Sequence, residues 1–120
     1  MRIIAVENSP EEANALRETI DAAFPGSECE SFLDPFLAIK SYLASPADYV
    51  IFCRHMRIID GFTFARTLRS RQADFTGVML AQDAAGRLDA EKFFLGYLVK
   101  PYNAADLKRQ YEQLSQIRRE

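Results

Sequence analysis

Tyr49-Val50-Ile51-Phe52-Cys53 is the segment that most restricts this chain of 120 residues. Five apolar residues in a row, rich in β-branched and aromatic types, predict a strand buried on both faces. Such a strand needs layers on both sides. The flanking sequence offers helices for those layers, because strand and helix signals alternate along the whole chain.

Ile3-Ile4-Ala5-Val6 is a second continuous apolar run. Ser9-Pro10-Glu11-Glu12 then reads as a helix start, with Ser9 as cap, Pro10 in the first turn and Glu12 closing a capping box. Ala13, Leu16, Ile20 and Ala23 follow helical spacing, and Pro25-Gly26 stops the helix. A weaker strand is expected over 29–33. Asp34-Pro35 opens a helix with Phe36, Ile39, Tyr42 and Leu43 on one side, ended by Ser45-Pro46. After Cys53 a loop leads to Asp60-Gly61 and a helix through Phe64, Leu68 and Arg69. Val78-Met79-Leu80 and Tyr97-Leu98-Val99 are strands. Residues 84–94 form a poor helix with Gly86 near its start. Asn103 caps a last helix carrying Leu107, Tyr111, Leu114 and Ile117.

Five strands alternating with helices predict one α/β domain over 1–120, with a five-stranded parallel sheet of order 2-1-3-4-5 and helices on both faces, a flavodoxin-like arrangement. The hydrophobic fraction of 48% supplies the core. The formal net charge of −2 gives no reason to expect nucleic-acid or membrane binding. No apolar run nears the roughly 20 residues of a membrane span, and the N-terminus lacks a signal-peptide pattern. The chain is expected to be cytoplasmic, with Cys29 and Cys53 as reduced thiols. The tail 115–120 suits the start of a linker, and Arg118-Arg119 a solvated basic helix end.

In such a sheet, chemistry belongs to the carboxyl ends of the strands. Those positions are Glu7 and Asn8, Cys53 to His55, Ala81 and Gln82, and Lys100. A carboxylate at position 53 with an acid pair after the first strand would make a site for a hard cation, and an adjacent Lys and hydroxyl would let it accept a phosphoryl group. This chain has Glu7 and Lys100 of that set. Asn8 is neutral, Cys53 is a soft ligand, and Ala81 has no hydroxyl.

The chain resembles receiver domains of two-component response regulators (CheY-like). Asp48-Tyr-Val-Ile-Phe-Cys53-Arg-His-Met-Arg-Ile-Ile-Asp60-Gly61 is similar to the family's stretch from its third strand into its third helix. There the phosphoacceptor Asp ends the strand, Met-Pro follows, and Asp-Gly opens the helix. Gly-Phe-Thr-Phe-Ala-Arg-Thr-Leu-Arg over 61–69 resembles Gly-x-x-Leu-x-x-x-Leu-Arg, and Tyr97-Leu-Val-Lys100-Pro101-Tyr102 resembles Tyr-x-x-Lys-Pro-Phe. The opening and the run Gly-Tyr-Leu-Val-Lys-Pro also resemble receivers that precede LytTR-type DNA-binding domains. The departures are Asn8 for the second acid, Cys53 for the phosphoacceptor, Arg57 for Pro, and Ala81 for Thr or Ser. The stretch from Ala81 to Lys100 is shorter than the family's, so the fourth helix is expected to be clipped or irregular.

What the resemblance implies is a pseudo-receiver. It would be a non-enzymatic signalling domain with a degenerate phosphorylation pocket of Cys53, Glu7, Asn8, Ala81 and Lys100, with Tyr97 as the switch aromatic. No cofactor is expected and no metal, Glu7 being the residual acid. The expected partner is another protein or receiver, as in a homodimer through the fourth helix, fifth strand and fifth helix. The alternatives are a redox-responsive receiver using Cys53, and the N-terminal regulatory domain of a longer DNA-binding regulator.

Competing assignments are weaker. Cys53 reads first as a small buried hydrophobe. Lys100, Arg54 and His55 would favour its thiolate and Glu7 would oppose it. Glu7, Cys53 and His55 have no zinc-ligand spacing, and the resemblance implies that residue 55 offers its backbone carbonyl instead. Arg54 and Arg57 read as solvated rim, and Lys100 as a partner for Glu7. The acidic loop Glu7 to Glu12 would repel a flavin phosphate.

Overall fold

The computed structural model describes residues 1–119, with side chains to Ile117. The reading of Arg118 and Arg119 as a solvated basic end therefore lies outside the described side chains. The elements are β1 (Arg2–Val6), α1 (Pro10–Ala23), β2 (Glu28–Phe32), α2 (Pro35–Ala44), β3 (Tyr49–Cys53), α3 (Gly61–Arg71), β4 (Gly77–Ala81), α4 (Arg87–Lys92), β5 (Gly96–Val99) and α5 (Ala104–Arg119). All strand pairs are parallel, and the order is β2-β1-β3-β4-β5. The predicted α/β class, strand order and strand count are those observed.

The sheet divides two apolar layers, as alternation along each strand requires. On one face Ile4, Val6, Val50, Phe52 and Met79 pack with Tyr42, Phe64 and Leu68. Phe52 lies between Phe64 and Phe75, with ring centroids 5.1 and 6.4 Å away. On the other face Ile3, Ile51, Val78 and Leu80 pack with Leu16, Ile20 and Leu107. β3 and β4 are buried at every position.

Local chemistry sets the helix starts. Ser9 accepts from Glu12 N at 3.2 Å, and Asp60 from Thr63 N at 2.8 Å. Asn103 and Asp106 form the reciprocal pair of a capping box, each side chain accepting from the other's backbone N–H.

Several details correct the sequence reading. The second strand lies one residue earlier, over Glu28–Phe32, which leaves Leu33 exposed. The core side of α2 is Pro35, Ala38 and Tyr42, with Ile39 packed against it. Phe36 and Leu43 are exposed instead, because the small Ala38 lets the helix axis approach the sheet and turns the larger side chains outward. Ile117 is likewise exposed, at the far end of α5. The fourth helix is clipped as expected, to six residues, with no side-chain cap at Gly86. It ends where Phe94 takes a φ of 56°, the left-handed conformation that stops a helix.

Candidate functional site

Each residue of the strand-end set is placed by the sheet. Glu7 N donates to Phe32 O at 3.1 Å, Arg54 N to Leu80 O at 2.8 Å and Lys100 N to Ala81 O at 2.9 Å. These bonds extend the ladders past the strands and bring Glu7, Cys53, Ala81 and Lys100 to one edge. The Lys100–Pro101 peptide is cis. Gly61 lies against the same edge. Its N–H donates to Arg54 O at 2.7 Å, and a Cβ at Gly61 would stand 2.8 Å from Cys53 O.

The centre of the site is an internal relay. Glu7 is 2% exposed, so its carboxylate needs partners. The Cys53 thiol donates to Glu7 Oε1 at 2.6 Å, and Lys100 Nζ lies 3.5 Å from Glu7 Oε2. Lys100 also reaches Glu12 at 3.7 Å. The pairing of Lys100 with Glu7 is the one read from the sequence. The participation of Glu12 was missed, since Glu12 reads there only as the second half of a capping box.

Burial dominates the protonation equilibria. Desolvation raises Glu7, against the lowering effects of the Cys53 hydrogen bond and Lys100. Burial also pushes the Cys53 thiol far above its usual range, and the Glu7 carboxylate adds to the rise. Burial pulls Lys100 down, but Glu7 and neighbouring negative groups more than offset it, leaving the ammonium favoured. Cys53 is therefore a neutral, buried thiol (4% exposed), a poor nucleophile.

Asn8 and His55 define the other rim. Asn8 Nδ2 donates to His55 O at 2.8 Å, while the His55 residue is exposed. The carbonyl at 55 thus faces the site, as the resemblance implies. Its lone pair is engaged by Asn8, where a second acid would repel it and leave room for a cation between them. With Glu7 facing a thiol and an ammonium, the donors present do not fit a hard divalent cation. Glu7, Cys53 and His55 do not converge either, and no cluster of three His, Cys, Asp or Glu among the described residues is placed to hold a metal.

Beyond Ala81 the loop from β4 to α4 closes the edge. Tyr97 is 2% exposed, and its hydroxyl donates to Asp83 O at 2.7 Å and accepts from Gly86 N at 3.2 Å. Arg54 corrects the sequence reading of a solvated rim. It lies inward, with Nη1 3.5 Å from Asp83 Oδ1. The cause is Gly86, whose missing side chain leaves a berth for the guanidinium. Arg57 is exposed, as read.

No protein-family profile matches the chain, and no curated protein matches it. Solved structures match it over nearly its whole length. A response regulator receiver domain protein from Clostridium thermocellum has a TM-score of 0.84 at 17% identity, covering 98% of this chain and 96% of that one. The response regulator TrrA from Thermotoga maritima, in complex with Mg²⁺ and BeF, has a TM-score of 0.81 at 25% identity, covering 94% and 97%. The receiver domain of a sensor histidine kinase from Pseudomonas aeruginosa, with a magnesium ion in its active-site cleft, has a TM-score of 0.80 at 19% identity, covering 94% and 95%. The chain has the fold of response-regulator receiver domains.

Proposed function

We propose that this chain is a receiver-type signalling domain that works without phosphoryl transfer, as a protein-interaction or dimerisation module with no enzymatic activity of its own. The observation that carries this reading is the bond from the Cys53 thiol to Glu7. The position corresponding to the phosphoacceptor holds a neutral sulfur, already engaged with Glu7, the one buried acid among the described residues. The neutral Asn8 and the methyl of Ala81 support the same reading. Without a charge that comes and goes at position 53, partner binding or assembly must set the state of the domain.

The surface suited to that role is formed by α4, β5 and α5. Leu88, Phe94 and Ile117 are large apolar side chains exposed there. A groove lined by Arg87, Phe94, Gln110, Leu114 and Ile117 runs beside them. Exposed apolar surface of this kind marks interaction sites, and a second copy of the chain is the simplest partner. A DNA-binding output domain beyond residue 120 fits this reading, with the receiver itself making no nucleic-acid contact. A redox role for Cys53 is disfavoured by its burial and its raised pKa.

Sedimentation equilibrium across a concentration series, on the parent and on Phe94→Glu, tests the module. Concentration-dependent dimerisation that Phe94→Glu abolishes is the expected result. A parent that stays monomeric at high concentration removes the homodimer. A covalent phosphoryl adduct formed with a small phosphodonor removes the phosphorylation-independent reading itself.

A further inference from the structure

We propose that Arg54 is a built-in latch that holds Tyr97 and the β4–α4 loop in the buried arrangement, so that the edge of the interaction face is set by the chain itself. This inference rests on geometry beside Cys53, and it stands apart from what position 53 can or cannot accept.

Three sets of contacts meet in this loop. The first is the ion pair from Arg54 Nη1 to Asp83 Oδ1 at 3.5 Å. The same carboxylate oxygen accepts from Ala85 N at 2.9 Å, so the ion pair and the turn share one group. The second is the packing at Gly86. A Cβ built there would lie 3.1 Å from Arg54 Cζ and Nε and 3.2 Å from Tyr97 Cε1. Gly86 is thus clasped between the guanidinium and the ring, and any side chain there would push one of them back by a few tenths of an ångström. The third is the Tyr97 hydroxyl, which donates to Asp83 O and accepts from Gly86 N. Arg87 covers the ring itself, its Cζ 5.3 Å from the centroid.

Arg54 is the only one of these side chains that reaches the loop from β3. Its backbone is fixed at both ends, since Arg54 N donates to Leu80 O and Arg54 O accepts from Gly61 N. The loop therefore has an anchor in the central strand. Short α4 gives it little other support, because Gly86 provides no side-chain cap. A ring held in this way buries Tyr97 and fixes where α4 begins. Arg54 is a positioning residue that acts through Asp83 and Gly86.

The test is amide exchange resolved by residue, with 3-fluorotyrosine NMR as the second readout, on the parent, Arg54→Ala and Arg54→Lys. In Arg54→Ala, the Gly86 amide is expected to exchange about tenfold faster, the combined effect of losing a partly exposed ion pair and the packing of the guanidinium against Gly86. Amides of β1 and β3 should stay within about twofold of the parent. The Tyr97 fluorine resonance should move toward its solvent-exposed position. Arg54→Lys keeps the charge but not the planar fork, and should recover part of the protection. If Arg54→Ala does not fold, Arg54→Lys carries the comparison. Gly86 protection within about twofold of the parent in the variants that fold, or equal acceleration of core and loop amides, overturns the proposal.

Discussion

The Cys53 thiol and the Glu7 carboxylate satisfy each other across 2.6 Å at the end of the central strand. Glu7 would otherwise be a buried acid with Lys100 alone for company. Cys53 would otherwise be a buried thiol with no acceptor for its proton. Their pairing turns a strand-end pocket into a closed internal contact, and its consequences can be measured.

Thiol reactivity follows burial and charge. Cys29 is half-buried and Cys53 buried beside an acid. Under native conditions a maleimide should modify Cys53 at least about tenfold more slowly than Cys29. The two should react alike in denaturant. Faster native modification of Cys53, read by peptide mass spectrometry, would revive the redox reading.

Alkaline stability should depend on the same thiol. Its folded pKa lies above the ordinary 9.0. Below that value the thiol is neutral in both states and its contribution is fully present. As the pH rises above 9.0, the unfolded chain loses the proton first, and the contribution is lost toward the folded value. One such group costs up to about 1.4 kcal/mol per pH unit. Cys53→Ser keeps a donor to Glu7 without this titration. Urea unfolding from about pH 8.5 to 10.5 should show a shallower loss for Cys53→Ser than for the parent.

Lys100 and Glu7 should be coupled. Lys100→Met leaves the buried carboxylate without a cation and should cost about 2 kcal/mol at pH 7, below the fully buried case because Lys100 is partly solvated. Adding Glu7→Gln should recover about 1 kcal/mol or more. Glu7 carries a raised pKa, so the cost of Lys100→Met should shrink toward pH 4.5 as Glu7 takes up a proton. A double-mutant cycle in urea at both pH values reads all of this, and additive effects would contradict the pairing.

Gly61→Ala should press on the strand end. The added methyl would stand 2.8 Å from Cys53 O and 3.0 Å from Arg54 Cα, backbone atoms that cannot rotate away. We expect a loss of about 1–3 kcal/mol in urea unfolding. A neutral effect would mean that α3 can shift freely against β3.

The architecture was legible because the buried strands announce themselves. Tyr49 to Cys53 and Ile3 to Val6 are continuous apolar runs, and the caps Ser9, Asp60 and Asn103 do what their residue types favour. The strand-end set was legible too, since strand ends follow once strands are placed. The α2 face was not. Phe36 and Leu43 outrank Ala38 in hydrophobicity, yet close approach of the helix to the sheet selects the small residue. Glu12 was hidden by its capping-box spacing, because that spacing does not say that its carboxylate turns toward Lys100. Arg54 was hidden because a charged residue after a strand reads as surface, and the space over Gly86 that draws it inward lies 32 residues away.

The central claim is that this pocket does not load a phosphoryl group or its mimic. Titration of the ¹⁵N-labelled chain with Mg²⁺ and beryllofluoride tests it most directly, with amide shifts of Arg54, Gly86, Tyr97 and Lys100 as the readout. The account predicts that these amides stay where they are through saturating additions. Saturable shifts at these four positions, dependent on both components, would contradict it.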